Sequence, residues 1–95
     1  MPSYIETYNH QNRIGVLVEF CCDDAYTLRT SEFREFAADL AQHLASVGET
    51  DIPLALQSHF REPGKTIGAM LASLHKKLGV RVRVARYKCF CSSSI

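Results

Sequence analysis

The stretch 13–22, RIGVLVEFCC, constrains the fold more than any other part of the chain. Ile14, Val16, Val18 and Phe20 recur at every second position, with Gly15, Leu17, Glu19 and Cys21 between them. A period of two sends successive side chains to opposite faces of an extended chain, so this is a strand with one face built for a core. Such a strand cannot stand alone. Two strands make a poor sheet in water, and a third strand or a layer of helices is needed to bury the apolar face. The rest of the 95 residues has to supply those partners.

Residues 3–8, rich in Tyr, Ile and Thr, predict a second strand, and the polar run Asn9-His10-Gln11-Asn12 joins the two as a hairpin. Thr30 is placed to cap a helix, with Glu32 and Glu35 early against its positive end. Phe33, Phe36, Ala37, Leu40, Leu44 and Val47 then follow at helical spacing as its buried stripe, and Gly48 stops it. Pro53 and Pro63-Gly64 break the stretch 49–65, where a short helical turn is expected, anchored by Leu54, Leu56 and Phe60. A second helix opens at Thr66, carries Ile67, Met70, Leu71, Leu74 and Leu78 on its apolar side, and closes at Gly79 behind His75, Lys76 and Lys77. Residues 80–90 predict the last strand, with Val80, Val82 and Val84 on one face and Arg81 and Arg83 on the other, and 91–95 a frayed tail. The order β-β-α-(α)-α-β predicts a single α+β domain over 1–95, a three-stranded antiparallel sheet with two to three helices on one face.

The formal net charge of +1 hides an asymmetry. Residues 1–60 carry three basic and nine acidic side chains; residues 61–95 carry eight basic ones and a single acid, Glu62. A fold that brings the last strand home to the hairpin sets these halves against each other. Internal neutralisation is the simplest outcome, and a basic face for an acidic partner the sharper one. No apolar run approaches the roughly 20 residues of a membrane span, and the first residues lack the basic start and apolar stretch of a secretory signal, so a cytoplasmic location is expected.

Few residues point to bond-making chemistry. Cys21, Cys22, Cys89 and Cys91 are not spaced as zinc-ribbon pairs, and adjacent Cys21 and Cys22 point to opposite faces, so neither a metal nor a disulfide is assigned, and no cofactor. The four histidines are scattered; Asp39 and His43, four apart, read as an exposed pair that supports the first helix. No nucleophile or phosphate-binding motif is present, so an enzyme is not expected. Lys76, Lys77, Arg81, Arg83, Arg86 and Lys88, with Tyr87 interleaved, would serve phosphate binding. Near-neutral charge and the lack of an aromatic-rich strand argue instead for a solvated face paired with Glu19 or Glu6. The acidic connection Cys22-Asp23-Asp24-Ala25-Tyr26 is the better candidate: an aromatic ring beside carboxylates on a protruding turn is an effective probe of a partner's pocket, unless the ring folds back on the core.

The series of motifs resembles the core, or dimerisation, domain of the translation elongation factor Ts family. RIGVLVEF is similar to that family's Arg-Ile-Gly-Val strand, and Cys22 falls on its frequent Cys. Arg29-Thr30 with Glu32-Phe33 matches its helix entry, and Ala37, Asp39, Leu40, Ala41 and His43 its helix body. Gln57, Glu62-Pro63 and Lys65-Thr66-Ile67 resemble the approach to its last helix, and Leu78-Gly79 with residues 82–90 its closing strand. The resemblance implies binding to an elongation factor Tu-type GTPase and promotion of GDP release, with a second copy of the chain as a further partner. It places the contact at Asp23, Asp24, Ala25, Tyr26 and Arg29, while the charge pattern offers Arg81, Arg83, Arg86 and Lys88 as a further basic contact face. The chain departs from the family at this turn: Ala25 stands where the family has Asp, and Tyr26 where it has Phe. Residues 48–56 are much shorter than the family's equivalent, and its N-terminal helical domain has no match here. Two alternatives remain at this stage: an interaction or self-association module without exchange activity, and an RNA-binding module using the basic strand.

Overall fold

A computed structural model describes residues 1–48 and 50–92. Three strands, β1 (Ser3–His10), β2 (Ile14–Cys22) and β3 (Val82–Cys91), form one antiparallel sheet in the order β1-β2-β3. Two helices, α1 (Ser31–Val47) and α2 (Ile67–Leu78), and two 3-10 turns, Thr27–Arg29 and Leu54–Leu56, lie between β2 and β3. This is the α+β arrangement that the sequence predicts. The alternation in β2 also holds: Val16, Val18, Phe20 and Cys22 are buried under the helices, while Leu17 faces out.

The hairpin turns more tightly than a four-residue loop. β1 runs on through His10, which pairs with Ile14, and Gln11 and Asn12 both take positive φ, at 54° and 59°. With Arg13 N–H donating to the His10 carbonyl at 3.0 Å, this is a type I′ turn, whose twist suits a two-stranded ribbon. Asn9 holds it from the side, accepting from Asn12 N–H at 2.9 Å.

The core forms where α1 crosses the sheet. Phe33, Ala37, Leu40, Ala41 and Leu44 of α1 meet Val16, Val18 and Phe20, and the Phe33 ring packs edge-on to Phe20 at 5.1 Å. Thr30 caps α1 by accepting from Phe33 N–H, as the sequence suggests, and Thr66, read as the opening of the second helix, stands just outside α2 and caps it by accepting from Ala69 N–H. Gly79 ends α2 at φ 73°. Val47, expected in the stripe of α1, is exposed, and His43 takes a buried place instead.

The stretch before α2 contains the expected short helical turn, Leu54–Leu56, but is not anchored by the expected leucines. Leu56 is 67% exposed and Leu54 only partly buried; the fixed points are the polar residues Gln57 and His59. Backbone bonds from Ile67 N–H to the Gln57 carbonyl and from His59 N–H to the Lys65 carbonyl fold 57–59 back along 65–67. The turn Leu54–Leu56 sits so close to α2 that a Cβ on Gly68 would come within 2.8 Å of the Ala55 carbonyl. Cys91, expected to head a frayed tail, closes β3 opposite Ile14, and Ser92 N–H still donates to the Arg13 carbonyl; the remainder of that tail, 93–95, lies outside the described residues.

Candidate functional site

The connection after β2 is built by its own side chains. Asp24 accepts from Tyr26 N–H at 3.0 Å through one carboxylate oxygen and from the Thr27 hydroxyl at 3.1 Å through the other. Its carbonyl also accepts from Thr27 N–H, so Asp24 opens the 3-10 turn Thr27–Arg29 as a capping residue opens a helix. The base of the turn is pinned because Thr27 and Leu28 are buried. Arg34 of α1 donates to the Leu28 carbonyl at 3.2 Å and lies over the Tyr4 ring at 4.9 Å.

What remains outside is Tyr26, 72% exposed. The ring does not fold back on the core; it stands on a turn fixed at both ends, so little side-chain or backbone ordering is left for a contact to require. Ala25 and Arg29 are exposed on the same turn. The two aspartates have separate roles. Asp24 is committed to the turn, whereas Asp23 is exposed and forms no ion pair among the described residues.

Asp23 and the start of the basic strand line one cleft. A hollow of about 520 Å³, lined largely by apolar atoms of Cys22, Leu54, Ile67, Leu71 and Val84, has Asp23, Arg81 and Arg83 among its lining residues. The fold therefore brings Asp23 together with Arg81 and Arg83, but not with Arg86 and Lys88, which lie further along β3. Arg86 pairs with Glu19 at 2.7 Å, the partner that the sequence suggests. The expected neutralisation of the two halves is otherwise sparse among the described residues. Only Arg61–Asp39 and Arg86–Glu19 join a cation of 61–95 to an acid of 1–60, and Arg81 and Arg83 form no ion pair.

The polar group around His43 was not legible as such. Asp39 and His43 are not an exposed helix pair. His43 is fully buried, its Nε2–H donating to Gln57 Oε1 at 2.8 Å and its Nδ1 accepting from Phe60 N–H at 3.2 Å. Asp39 binds His59 Nε2 at 2.6 Å and also Arg61, while His59 Nδ1 accepts from the N–H groups of Arg61 and Glu62. Both nitrogens of both rings are thus occupied, and this group fastens 57–62 to α1 and leaves no free base. Burial pushes the His43 pKa below its ordinary 6.5, against the opposing bond to Gln57. The one signal in the sequence was His43 falling between Leu40 and Leu44 on an apolar helix face. The cysteines divide into two pairs at opposite ends of the sheet, Cys21 and Cys22 opposite Arg83 and Val82, Cys89 and Cys91 opposite Val16 and Ile14.

Among the described residues no helix is long and apolar enough to cross a membrane. No protein-family profile matches the chain. Curated relatives do. It is 30% identical to the elongation factor Ts of Rubrobacter xylanophilus, over 87% of this chain and 67% of that protein. It is 32% identical to the elongation factor Ts of Streptomyces coelicolor over 83% of this chain, and 27% identical to that of Aquifex aeolicus over 77%. These relatives are translation factors, and the chain belongs to their family, that of elongation factor Ts. It spans only 28% and 27% of the Streptomyces and Aquifex relatives. The Rubrobacter alignment covers 130 positions against 95 residues here, so that relative carries a stretch this chain lacks.

Proposed function

We propose that this chain binds an elongation factor Tu-type GTPase in the cytoplasm through the turn 23–26 and promotes GDP release. The observation that carries this is Tyr26, held out at 72% exposure on a turn whose base is pinned by Thr27, Leu28 and Asp24. An aromatic ring that needs no reordering is the kind of anchor that dominates an interface. Asp23 adds an exposed carboxylate beside it, and Arg29 a cation. The energetic logic is linkage: a factor that binds the nucleotide-free GTPase more tightly than the GDP-bound form weakens GDP by the same factor.

Binding without exchange is the second reading, and one observation favours it. Ala25 offers no carboxylate, and that of Asp24 is already engaged by Tyr26 N–H and Thr27. The experiment is release of a fluorescent GDP analogue from elongation factor Tu on addition of the chain. Acceleration that Tyr26→Ala abolishes supports exchange. Binding with an unchanged release rate supports the second reading, and absence of binding at high micromolar concentration rejects both. Ala25→Asp is expected to raise the exchange rate if the turn is the contact.

A further inference from the structure

A tyrosine hydroxyl has to find a hydrogen-bond partner whenever it is taken out of water. The chain has four, and two of them find that partner internally. Tyr4 donates to Glu6 Oε1 at 2.9 Å, and the Tyr8 hydroxyl meets His10 Nδ1 at 3.1 Å. Among the described residues, the hydroxyls of Tyr26 and Tyr87 form no hydrogen bond within the chain. Tyr87 belongs to β3, is 40% exposed and lines a shallow groove with Ile5 and Leu17. Tyr26 stands out on the turn after β2 with its ring far more exposed.

The turn itself has little to offer that hydroxyl. Asp24 already accepts from Tyr26 N–H through one carboxylate oxygen and from the Thr27 hydroxyl through the other. Thr27 is buried, and Ala25 carries no polar side chain. The hydroxyl is therefore hydrated in the free chain. A pocket that takes the ring strips that water away. The loss costs binding unless the pocket supplies a replacement, and a pocket that supplies one rejects a ring without the hydroxyl, because its own polar group is then left unpaired. Since the base of the turn is pinned by Asp24, Thr27 and Leu28, the hydroxyl arrives at a defined place and the replacement has to be there already.

We propose that the Tyr26 hydroxyl determines partner specificity by donating to an uncharged acceptor, a carbonyl oxygen in the simplest case, at the end of the pocket that receives the ring. This rests on the reading that the turn 23–26 meets a Tu-type GTPase, and it adds what that pocket has to contain. Donation is the stronger role of a phenol, because its oxygen lone pair is drawn into the ring. Charge selects an uncharged acceptor. The turn holds two carboxylates, Asp23 and Asp24, against one cation, Arg29, so a carboxylate from the partner meets net repulsion. A GTPase whose pocket is apolar to its end strips the hydroxyl of water without replacing it, and binds this chain less tightly.

The test is binding of the whole chain to elongation factor Tu, with Tyr26 replaced by Phe, by Ala and by a tyrosine fluorinated beside its hydroxyl. Tyr26→Phe is expected to keep the thermal stability of the unaltered chain, because the hydroxyl has no partner within it among the described residues. Binding should weaken at least about fivefold in Tyr26→Phe and further in Tyr26→Ala. At mildly acidic pH, where the phenol keeps its proton, fluorine makes the hydroxyl a stronger donor and should tighten binding. Tyr26→Phe that binds as tightly as the unaltered chain, while Tyr26→Ala does not, overturns the role of the hydroxyl and leaves the turn as the contact. Unchanged or weaker binding of the fluorinated chain overturns donation. If neither Phe nor Ala alters binding, the contact lies elsewhere and the reading of the turn falls together with the proposal. No binding by the unaltered chain rejects both.

Discussion

His43 and His59 stack with ring centroids 5.8 Å apart and planes inclined by 16°. One comes from α1 and the other from the stretch before α2, and each presents Nδ1 to a backbone N–H. Each ring therefore uses Nδ1 as an acceptor and turns Nε2 to its other partner, Gln57 for His43 and Asp39 for His59. Asp39 and Arg61 are the charged groups beside the pair.

Acid should loosen this contact. The pKa of His43 is lowered in the folded chain, by burial above all, so the unfolded state takes up the proton first. Stability is then full above the ordinary value of 6.5 and declines as the pH falls below it toward the lowered folded value. Denaturation midpoints measured from about pH 8 to about pH 5 should drop across that window. A flat profile would remove His43 as a titrating element.

Asp39→Asn should cost about 1–3 kcal/mol, because one of His59 Nε2–H and Arg61 would then face an amide N–H₂ instead of an acceptor. Arg61→Ala, which removes only the exposed partner, should cost less than about 1 kcal/mol. Thermal unfolding of the two variants separates them. Equal losses would mean that the buried His59 contact contributes little.

Gln11 occupies a left-handed position that suits Asn or Gly better. Gln11→Asn is expected to stabilise the chain by about 0.5 kcal/mol, and Gln11→Val to destabilise it by about 1 kcal/mol or more. Urea titration measures both. A stabilising valine would contradict the type I′ turn.

Tyr26 and Asp24 should separate function from folding. Tyr26→Ala removes an exposed ring and should leave stability within about 0.5 kcal/mol, while binding of the GTPase weakens by about tenfold or more. Asp24→Ala removes the turn's internal cap and should cost about 1 kcal/mol of stability, with Asp24→Asn restoring most of it. A Tyr26 variant that unfolds early would mark the ring as structural.

Much of the fold was legible because it rests on short-range periodicity. The two-residue alternation of 14–22, the cap Thr30 and the stop at Gly79 depend on neighbours a few positions away, and the folded chain uses them as read. The turn 23–26 was legible as a candidate by its composition. The split between an Asp24 bound within the turn and an exposed Asp23 was not, because it depends on which carboxylate the 3-10 turn bends toward.

By itself the sequence determined the strands, the helices, their order, and that Tyr26 sits on an acidic connection. Tertiary structure alone decided three things. It brought His59 and Arg61 onto Asp39, and Gln57 onto His43, contacts that span 14 to 22 residues and leave no local pattern. Among the described residues it gave Arg81 and Arg83 no ion pair, although the two halves of the chain carry opposite charge. And it placed Ala85 in a bulge, so that Arg83, Arg86 and Lys88 share a face that strict alternation would divide between them. The physical reason is the same in each case: a side chain's direction and partner depend on register and on long-range packing, and these exist only once the sheet and helices have come together.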